Sequence, residues 1–320
     1  MSNYDYSRAK FITIATTQDT MLFNTRSLNT LLNSDCNGVV ILPLPDENNH
    51  FSIKDKNDDY ALDWIDSMMG DLVDENLNIK VWIGMPRIDS NTVSNIVSGT
   101  GSGSTYKRFQ KYVDYFMSKT YKNNVYGFLY NQEAIYNEIS LNNPMANKEA
   151  KLMNDIAYYI RNTYQCDMIW APYYGTGKND NEANENAEKV AIIANKTTCF
   201  DCAFIQAMHI GDRYDLGDTV KNFLPIVKSA EDEDDLLYKR DSKNTFINKN
   251  NKIGNCNIGV EYEYSYYDEL NNFSQYVRYY KDLSCPKLFY WQGIIKEEGE
   301  SNSDVREKIS NLVDVINDLY

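Results

Sequence analysis

Val125-Tyr-Gly-Phe-Leu-Tyr130 and Asp167-Met-Ile-Trp-Ala-Pro172 are two short apolar runs with one amphipathic stretch between them. That stretch opens at Pro144, a residue suited to the first helical position. It continues to Tyr164 with Leu152, Ile156, Tyr159 and Ile160 at helical spacing. Strand, helix, strand is the order of a βαβ crossover, which joins parallel strands. The alternation extends in both directions. Apolar runs of strand length recur at Lys10–Thr16, Gly38–Leu44, Ile79–Met85, Phe200–Gln206, Ile258–Glu263 and Lys287–Trp291. Helix-like stretches lie at Asp59–Leu77, Tyr106–Tyr121, Glu185–Asn195, Asp218–Lys228, Tyr267–Leu283 and Ser303–Leu319, with a further one marked by Leu28 to Leu32. Eight strands alternating with about eight helices predict an α/β chain, a single-domain (β/α)8 TIM barrel over residues 1–320 with long βα loops.

A doubly wound open sheet is the rival. It would call for G-x-G-x-x-G after the first strand or for G-x-x-x-x-G-K-[ST], and neither occurs. Three loops are longer than packing needs. Asp89–Thr105 contains Ser98-Gly-Thr-Gly-Ser-Gly-Ser104 and reads as a solvated flexible loop, or as a lid over a site. Gly175–Asn184 is polar and Asn-rich. Ala230–Asn257 carries the acidic run Glu231-Asp-Glu-Asp-Asp235, which reads as a solvated face and matches no EF-hand spacing.

Charge narrows the function classes. With 32 basic and 46 acidic residues the formal charge is −14, so neither a phosphate backbone nor an anionic membrane surface is an expected partner. No apolar run reaches the roughly 18 residues of a membrane helix. The polar start Met1-Ser2-Asn3-Tyr4-Asp5 has no apolar h-region, so either no signal peptide directs export or that segment lies outside the given chain. Localisation stays open. Tyrosine is abundant, 26 against 12 Phe and 4 Trp, which suits codon bias or a wet aromatic cleft for polar ligands equally. The six cysteines are irregularly spaced and do not form a disulfide framework. The Cys199-Phe-Asp-Cys202 pair lacks a second pair or enough histidines to complete a zinc site. No cofactor and no metal is expected.

In such a barrel, chemistry sits at the C-terminal strand ends. Glu261 and Glu263 interrupt the seventh apolar run, and the period of two puts both on the face of Gly259, with Val260 and Tyr262 toward the helices. A buried carboxylate costs several kcal/mol unless it is partnered. The pair is therefore either ion-paired, with Arg87 as partner, or reactive. Glu133 closes the fourth run with the parity of Gly127, Leu129 and Asn131. Strands four and seven lie three apart on an eight-strand ring, so their ends face across the mouth. Two facing carboxylates suit glycoside hydrolysis, one as acid and the other as nucleophile or base. Around them Arg87, Asn131, Gln132, Tyr173, Tyr174, Gln206, His209 and Trp291 are the candidate substrate contacts. Asp46 is a minor addition.

Four strings carry a family resemblance: Gly127-Phe-Leu-Tyr-Asn-Gln132-Glu133, Trp170-Ala-Pro-Tyr-Tyr174, Phe200-Asp201-Cys-Ala-Phe-Ile-Gln206 and Gly259-Val-Glu261-Tyr-Glu263. In this order they resemble a bacterial family of uncharacterised barrels related to glycoside hydrolases. That resemblance implies an acid/base at Glu133 and a nucleophile or base at Glu261 or Glu263. The chain departs from the family at Gln206-Ala-Met-His209, where the family reads Q-P-N-Y. Unlike better-known retaining barrels, which have Asn just before the strand-four Glu, it has Gln132 there, with Asn131 one residue earlier. The expectation is a glycosidase-like barrel acting on a polysaccharide or glycoconjugate. The alternative is a carbohydrate-binding or structural barrel without turnover. A metal-dependent hydrolase would want more histidines than His50 and His209.

Overall fold

In the computed structural model the chain forms twelve strands among the described residues: β1 (Lys10–Thr16), β2 (Gly38–Pro43), β3 (Ser52–Ile53), β4 (Val81–Gly84), β5 (Arg87–Ile88), β6 (Val125–Tyr130), β7 (Asp167–Trp170), β8 (Cys202–Gln206), β9 (Leu236–Arg240), β10 (Thr245–Asn248), β11 (Asn257–Tyr264) and β12 (Lys287–Trp291). Eight of them close into a barrel in the ring order β1-β2-β4-β6-β7-β8-β11-β12, every neighbouring pair parallel. The expected (β/α)8 barrel is therefore the observed fold. The structure describes residues 4–16, 36–43, 52–53, 60–74, 78–88, 90–99, 102–172, 189–206, 236–240, 245–248, 253–254, 256–264 and 285–291, and the single residues 307, 310 and 314. The helices expected at 28–32, 218–228 and 267–283 lie outside these residues, as does most of 303–319.

Strand parity sorts the core into two clusters. Phe11, Val40, Leu42, Trp82, Leu129, Ile169, Ala171, Cys202, Phe204 and Leu288 point into the barrel. The alternating set, including Ile12, Val39, Ile83, Phe128, Met168, Val260, Tyr262 and Phe289, meets the helical layer. Helices Tyr60–Asp74, Ser102–Met117 and Lys148–Tyr164 supply Ile65, Met69, Phe109, Val113, Phe116, Ile156 and Ile160 to that outer cluster. Residues 189–196 are helical as well. Asn147 caps the Lys148–Tyr164 helix, its Oδ1 accepting from Ala150 N at 3.0 Å.

Inside the barrel Phe11 packs on Trp82 with ring centroids 4.2 Å apart. That packing needs glycine on the neighbouring strand. A Cβ on Gly127 would lie 2.6 Å from the Trp82 ring and 2.5 Å from the Asp167 carbonyl oxygen. The floor of the barrel is sealed by the segment ahead of β1. Asp5 caps the short 3-10 turn Tyr6–Arg8, and Tyr4 and Tyr6 wedge against Trp82 and Phe11. There the Tyr6 hydroxyl donates to Asp167 Oδ2 (3.1 Å) and accepts from Trp82 Nε1 (3.0 Å).

Two expectations are corrected. Asp89–Thr105 is not a flexible lid. Ser90–Ser98 is a helix that buries Val93 and Ile96 on the core, and Gly99, at φ +83°, ends it; the next helix opens at Ser102. Ser98 of the Ser/Gly string thus closes one helix, and Ser102, Gly103 and Ser104 open the next. In Ala230–Asn257, read as a loop, β9 and β10 pair as an antiparallel hairpin. Leu236-Leu-Tyr238 and Phe246-Ile247 are the β-prone residues that form it.

Candidate functional site

The site lies at the C-terminal mouth. Beyond Leu129 on β6 come Asn131 and Glu133, in the direction that parity and the end of the strand impose. From β11, Glu261 points inward with only 2% exposure, in register with Gln206 of β8 and Leu288 of β12. Glu133, Glu261, Arg87, Asn131, Gln206, Thr13 and Tyr290 all line one pocket of about 40 Å³. That volume holds a water molecule or two.

Arg87 reaches the pocket by a detour. The strand before it ends at Gly84, and Arg87–Ile88 form the separate short strand β5, paired in parallel with Ser52–Ile53. Its guanidinium makes an ion pair with Glu133 Oε1. The expected partner was a carboxylate on β11; the structure gives Arg87 the β6-end carboxylate instead, because β5 leads the chain back toward the β6 end. A half-exposed pair contributes only about 0–1 kcal/mol, so its consequence is geometric: it fixes where the Glu133 carboxylate sits.

The remaining candidates divide. Gln132 is buried and lies outside the pocket lining. Its Oε1 accepts from Ile88 N (3.3 Å), its Nε2 donates to the Tyr136 hydroxyl (3.3 Å), and its carbonyl accepts from Trp170 Nε1 (2.8 Å). It therefore ties β5 to the β6 end. Gln206 spends its Nε2 on the Ala171 carbonyl at 3.1 Å, leaving Oε1 toward ligand chemistry. Tyr173, Tyr174, His209 and Asp46 lie outside the described residues. Glu263 and Trp291 are described only in backbone, Glu263 in register with Tyr290 and Trp291 with Tyr264 and Ile14.

Sequence reasoning missed Thr13 and Tyr290. Parity could have found both: Thr13 follows Phe11 by two, and Tyr290 follows Leu288 by two. Two buried polar atoms in the pocket, Thr13 Oγ1 and Asn131 Nδ2, have no hydrogen-bond partner among the described residues. An orphaned buried donor costs about 1–3 kcal/mol. Such a group calls for a bound water or ion, or for a catalytic role.

The loop carrying Glu133 is pinned from behind. Buried Glu149 accepts from Tyr136 N (3.1 Å), Asn137 N (3.2 Å) and Asn137 Nδ2 (3.3 Å). Burial raises its pKa above the ordinary carboxylate value, against those hydrogen bonds and the charge of Lys189. Asp201, part of the family-like Phe-Asp string, is likewise structural. Its Oδ2 accepts from Arg161 Nη2 (2.9 Å) and Met168 N (2.8 Å). Cys199 and Cys202 are buried free thiols, and burial pushes the Cys199 thiol up to about 12. Among the described residues no group of three His, Cys, Asp or Glu side chains could hold a metal ion, and no helix is long and apolar enough to cross a membrane.

Fold and mouth together define a class: a closed parallel barrel with two carboxylates over one pocket. The chain matches no protein-family profile and no curated protein. Solved structures do resemble it. The C-terminal domain of a candidate chitinase from Desulfitobacterium hafniense DCB-2 has a TM-score of 0.55 at 8% identity, over 97% of this chain and 99% of that one. Endo-glycoceramidase II from Rhodococcus sp. has 0.54 at 12%, over 96% and 77%. The endo-beta-1,4-mannanase from Thermotoga petrophila has 0.52 at 12%, over 97% and 77%. At these identities the likeness is one of fold: the chain shares the closed (β/α)8 barrel of these structures.

Proposed function

We propose that this barrel hydrolyses a polysaccharide or glycoconjugate with Glu133 and Glu261 as paired carboxylates. Glu133 serves as acid/base at the leaving oxygen. Glu261 attacks the anomeric carbon or activates water, with Glu263 as the alternative on the same strand. The observation that carries the reading is the shared pocket: carboxylates from two strands three apart on the ring line one cavity together with the orphaned Asn131 amide. Asn131, Gln206, Tyr290 and Arg87 supply hydrogen bonds to hydroxyls. Tyr173, Tyr174, His209 and Trp291 are further proposed contacts. A cavity of about 40 Å³ suits the attacking water and the scissile oxygen, so the sugar ring lies above the described floor.

A second reading is a binding barrel without turnover. The Arg87–Glu133 pair favours it, since a carboxylate engaged by a guanidinium must release that partner before it can protonate a leaving group. Reducing-sugar release from a panel of β-glucan, mannan, chitin and glycolipid substrates separates the two. Glu133→Gln and Glu261→Gln should each lower the rate by about 10²–10⁴-fold while melting temperature stays near that of the parent. If the parent binds a glycan and releases nothing, the binding reading replaces this one. If both variants turn over at the parental rate, the site is elsewhere.

A further inference from the structure

A second cavity of ligand size lies at the opposite end of the barrel. A groove of about 530 Å³ opens between the C-terminal turns of helices Ser102–Met117 and Lys148–Tyr164, under the starts of β6 and β7. This lies within the roughly 300–1,000 Å³ of ordinary ligand clefts, whereas the mouth pocket is far smaller. Met117, Val125, Tyr126 and Tyr164 furnish its apolar surface, beside the charged Lys122 and Asp167, and both tyrosines are held in place. The Tyr164 hydroxyl donates to Asp114 Oδ1 at 2.6 Å, and the Tyr126 ring packs against Trp82 at 5.9 Å. Between them Asn123, Thr163 and Gln165 present amide and hydroxyl groups that make no hydrogen bond among the described residues.

Gln165 is the telling residue. It is the C-cap of its helix, with φ 58° and ψ 26°, and the single non-glycine residue at positive φ among those described. Glycine takes that left-handed conformation without steric cost, and helices commonly end on it. A glutamine there accepts strain and places a long amide in the groove. Strain of this kind accumulates at ligand sites.

We infer that this groove is a second binding site, for a short neutral oligosaccharide. Fixed aromatic faces stack on sugar rings, and side-chain amides and a hydroxyl pair with sugar hydroxyls. The site is remote from the mouth and does not depend on cleavage there. It gives the barrel two points of attachment to one polymer, or a hold on glycan while the mouth works.

The test is binding stoichiometry. Cellohexaose, mannohexaose and chitohexaose are titrated calorimetrically into the full chain carrying Glu133→Gln, so that nothing is cleaved. At least one hexaose should occupy a site that is weakened tenfold or more by Gln165→Gly and by Thr163→Arg. Gln165→Gly relieves the strained backbone, so its melting temperature should hold or rise and loss of binding cannot be blamed on unfolding. Thr163→Arg fills the groove from an exposed helical position. Binding that neither variant changes, or the absence of hexaose binding altogether, overturns the inference. Hydrolysis by the parent chain, measured separately, reports on the mouth alone, so the two proposals fail independently.

Discussion

Tyr6→Phe removes a single oxygen from the barrel floor, and the structure sets what that costs. The hydroxyl serves two buried groups at once, Asp167 Oδ2 at 3.1 Å and Trp82 Nε1 at 3.0 Å. Trp82 is fully buried and Asp167 nearly so, so the lost hydroxyl leaves both groups shielded from bulk solvent. Leaving the indole N–H unpaired costs about 1–3 kcal/mol, and losing a hydrogen bond to a charged acceptor costs about 1.5–3 kcal/mol. Phenylalanine preserves the ring packing on Trp82 and Phe11, so the two polar losses dominate at about 2.5–6 kcal/mol in sum. Burial and the neighbouring Asp167 push the Tyr6 phenol pKa well upward, so the donor persists across the usable pH range. Urea unfolding followed by tryptophan fluorescence at pH 7 reads the loss directly. Adding Trp82→Phe to Tyr6→Phe should then cost less than Trp82→Phe alone, because it removes the N–H that Tyr6→Phe leaves unpaired. A Tyr6→Phe loss below about 1 kcal/mol would refute the shared-hydroxyl account.

Three further outcomes follow from other parts of the molecule. Gly127→Ala drives a Cβ to 2.5 Å from a backbone oxygen and 2.6 Å from the Trp82 ring; it should cost about 3 kcal/mol or more in thermal unfolding, and an unchanged melting curve would contradict that packing. Glu149 has its folded pKa raised above the ordinary 4.5, so the folded state holds the extra proton and stability falls as pH climbs through the window from 4.5 upward. Glu149→Gln should flatten that slope in a pH series of denaturation midpoints, and an equally steep slope in the variant would assign it elsewhere. Arg161→Lys exchanges a fork that reaches Asp201 Oδ2 through both Nε (3.2 Å) and Nη2 (2.9 Å), and also the Cys199 carbonyl (3.0 Å), for a single ammonium. It should lower stability by about 1–2 kcal/mol in calorimetry.

The barrel was legible because burial on both faces makes parallel strands read as apolar runs. Lys10–Thr16, Val125–Tyr130 and Lys287–Trp291 stand where the sequence put them. Helix Ser90–Ser98 escaped because Ser, Asn and Thr occupy most of it, and only Val93, Ile96 and Val97 mark its buried side. Parity was reliable within a strand: Glu261 turned inward and Val260 and Tyr262 outward, as the period of two requires. It could not say which partner a side chain meets beyond the strand. Arg87 pairs with Glu133 because β5 pairs with Ser52–Ile53, a contact between segments distant in the chain that no local pattern encodes. Gln132 looked like a substrate contact for the same reason; its backbone and side-chain bonds to Ile88 and Trp170 exist only once the ring has closed.

The tyrosine wedge beneath β1 has a bearing on how the molecule is made. The aspartate that receives the Tyr6 hydroxyl is translated 161 residues after it, and β1 awaits β12 to complete the ring. Until then the aromatic wedge has Phe11 and Trp82 to pack on but lacks the acceptor that seats its hydroxyl. The wedge is made well before its seat, so a product that stops short of residue 167 leaves those rings without an anchor and open to chaperone capture or clumping.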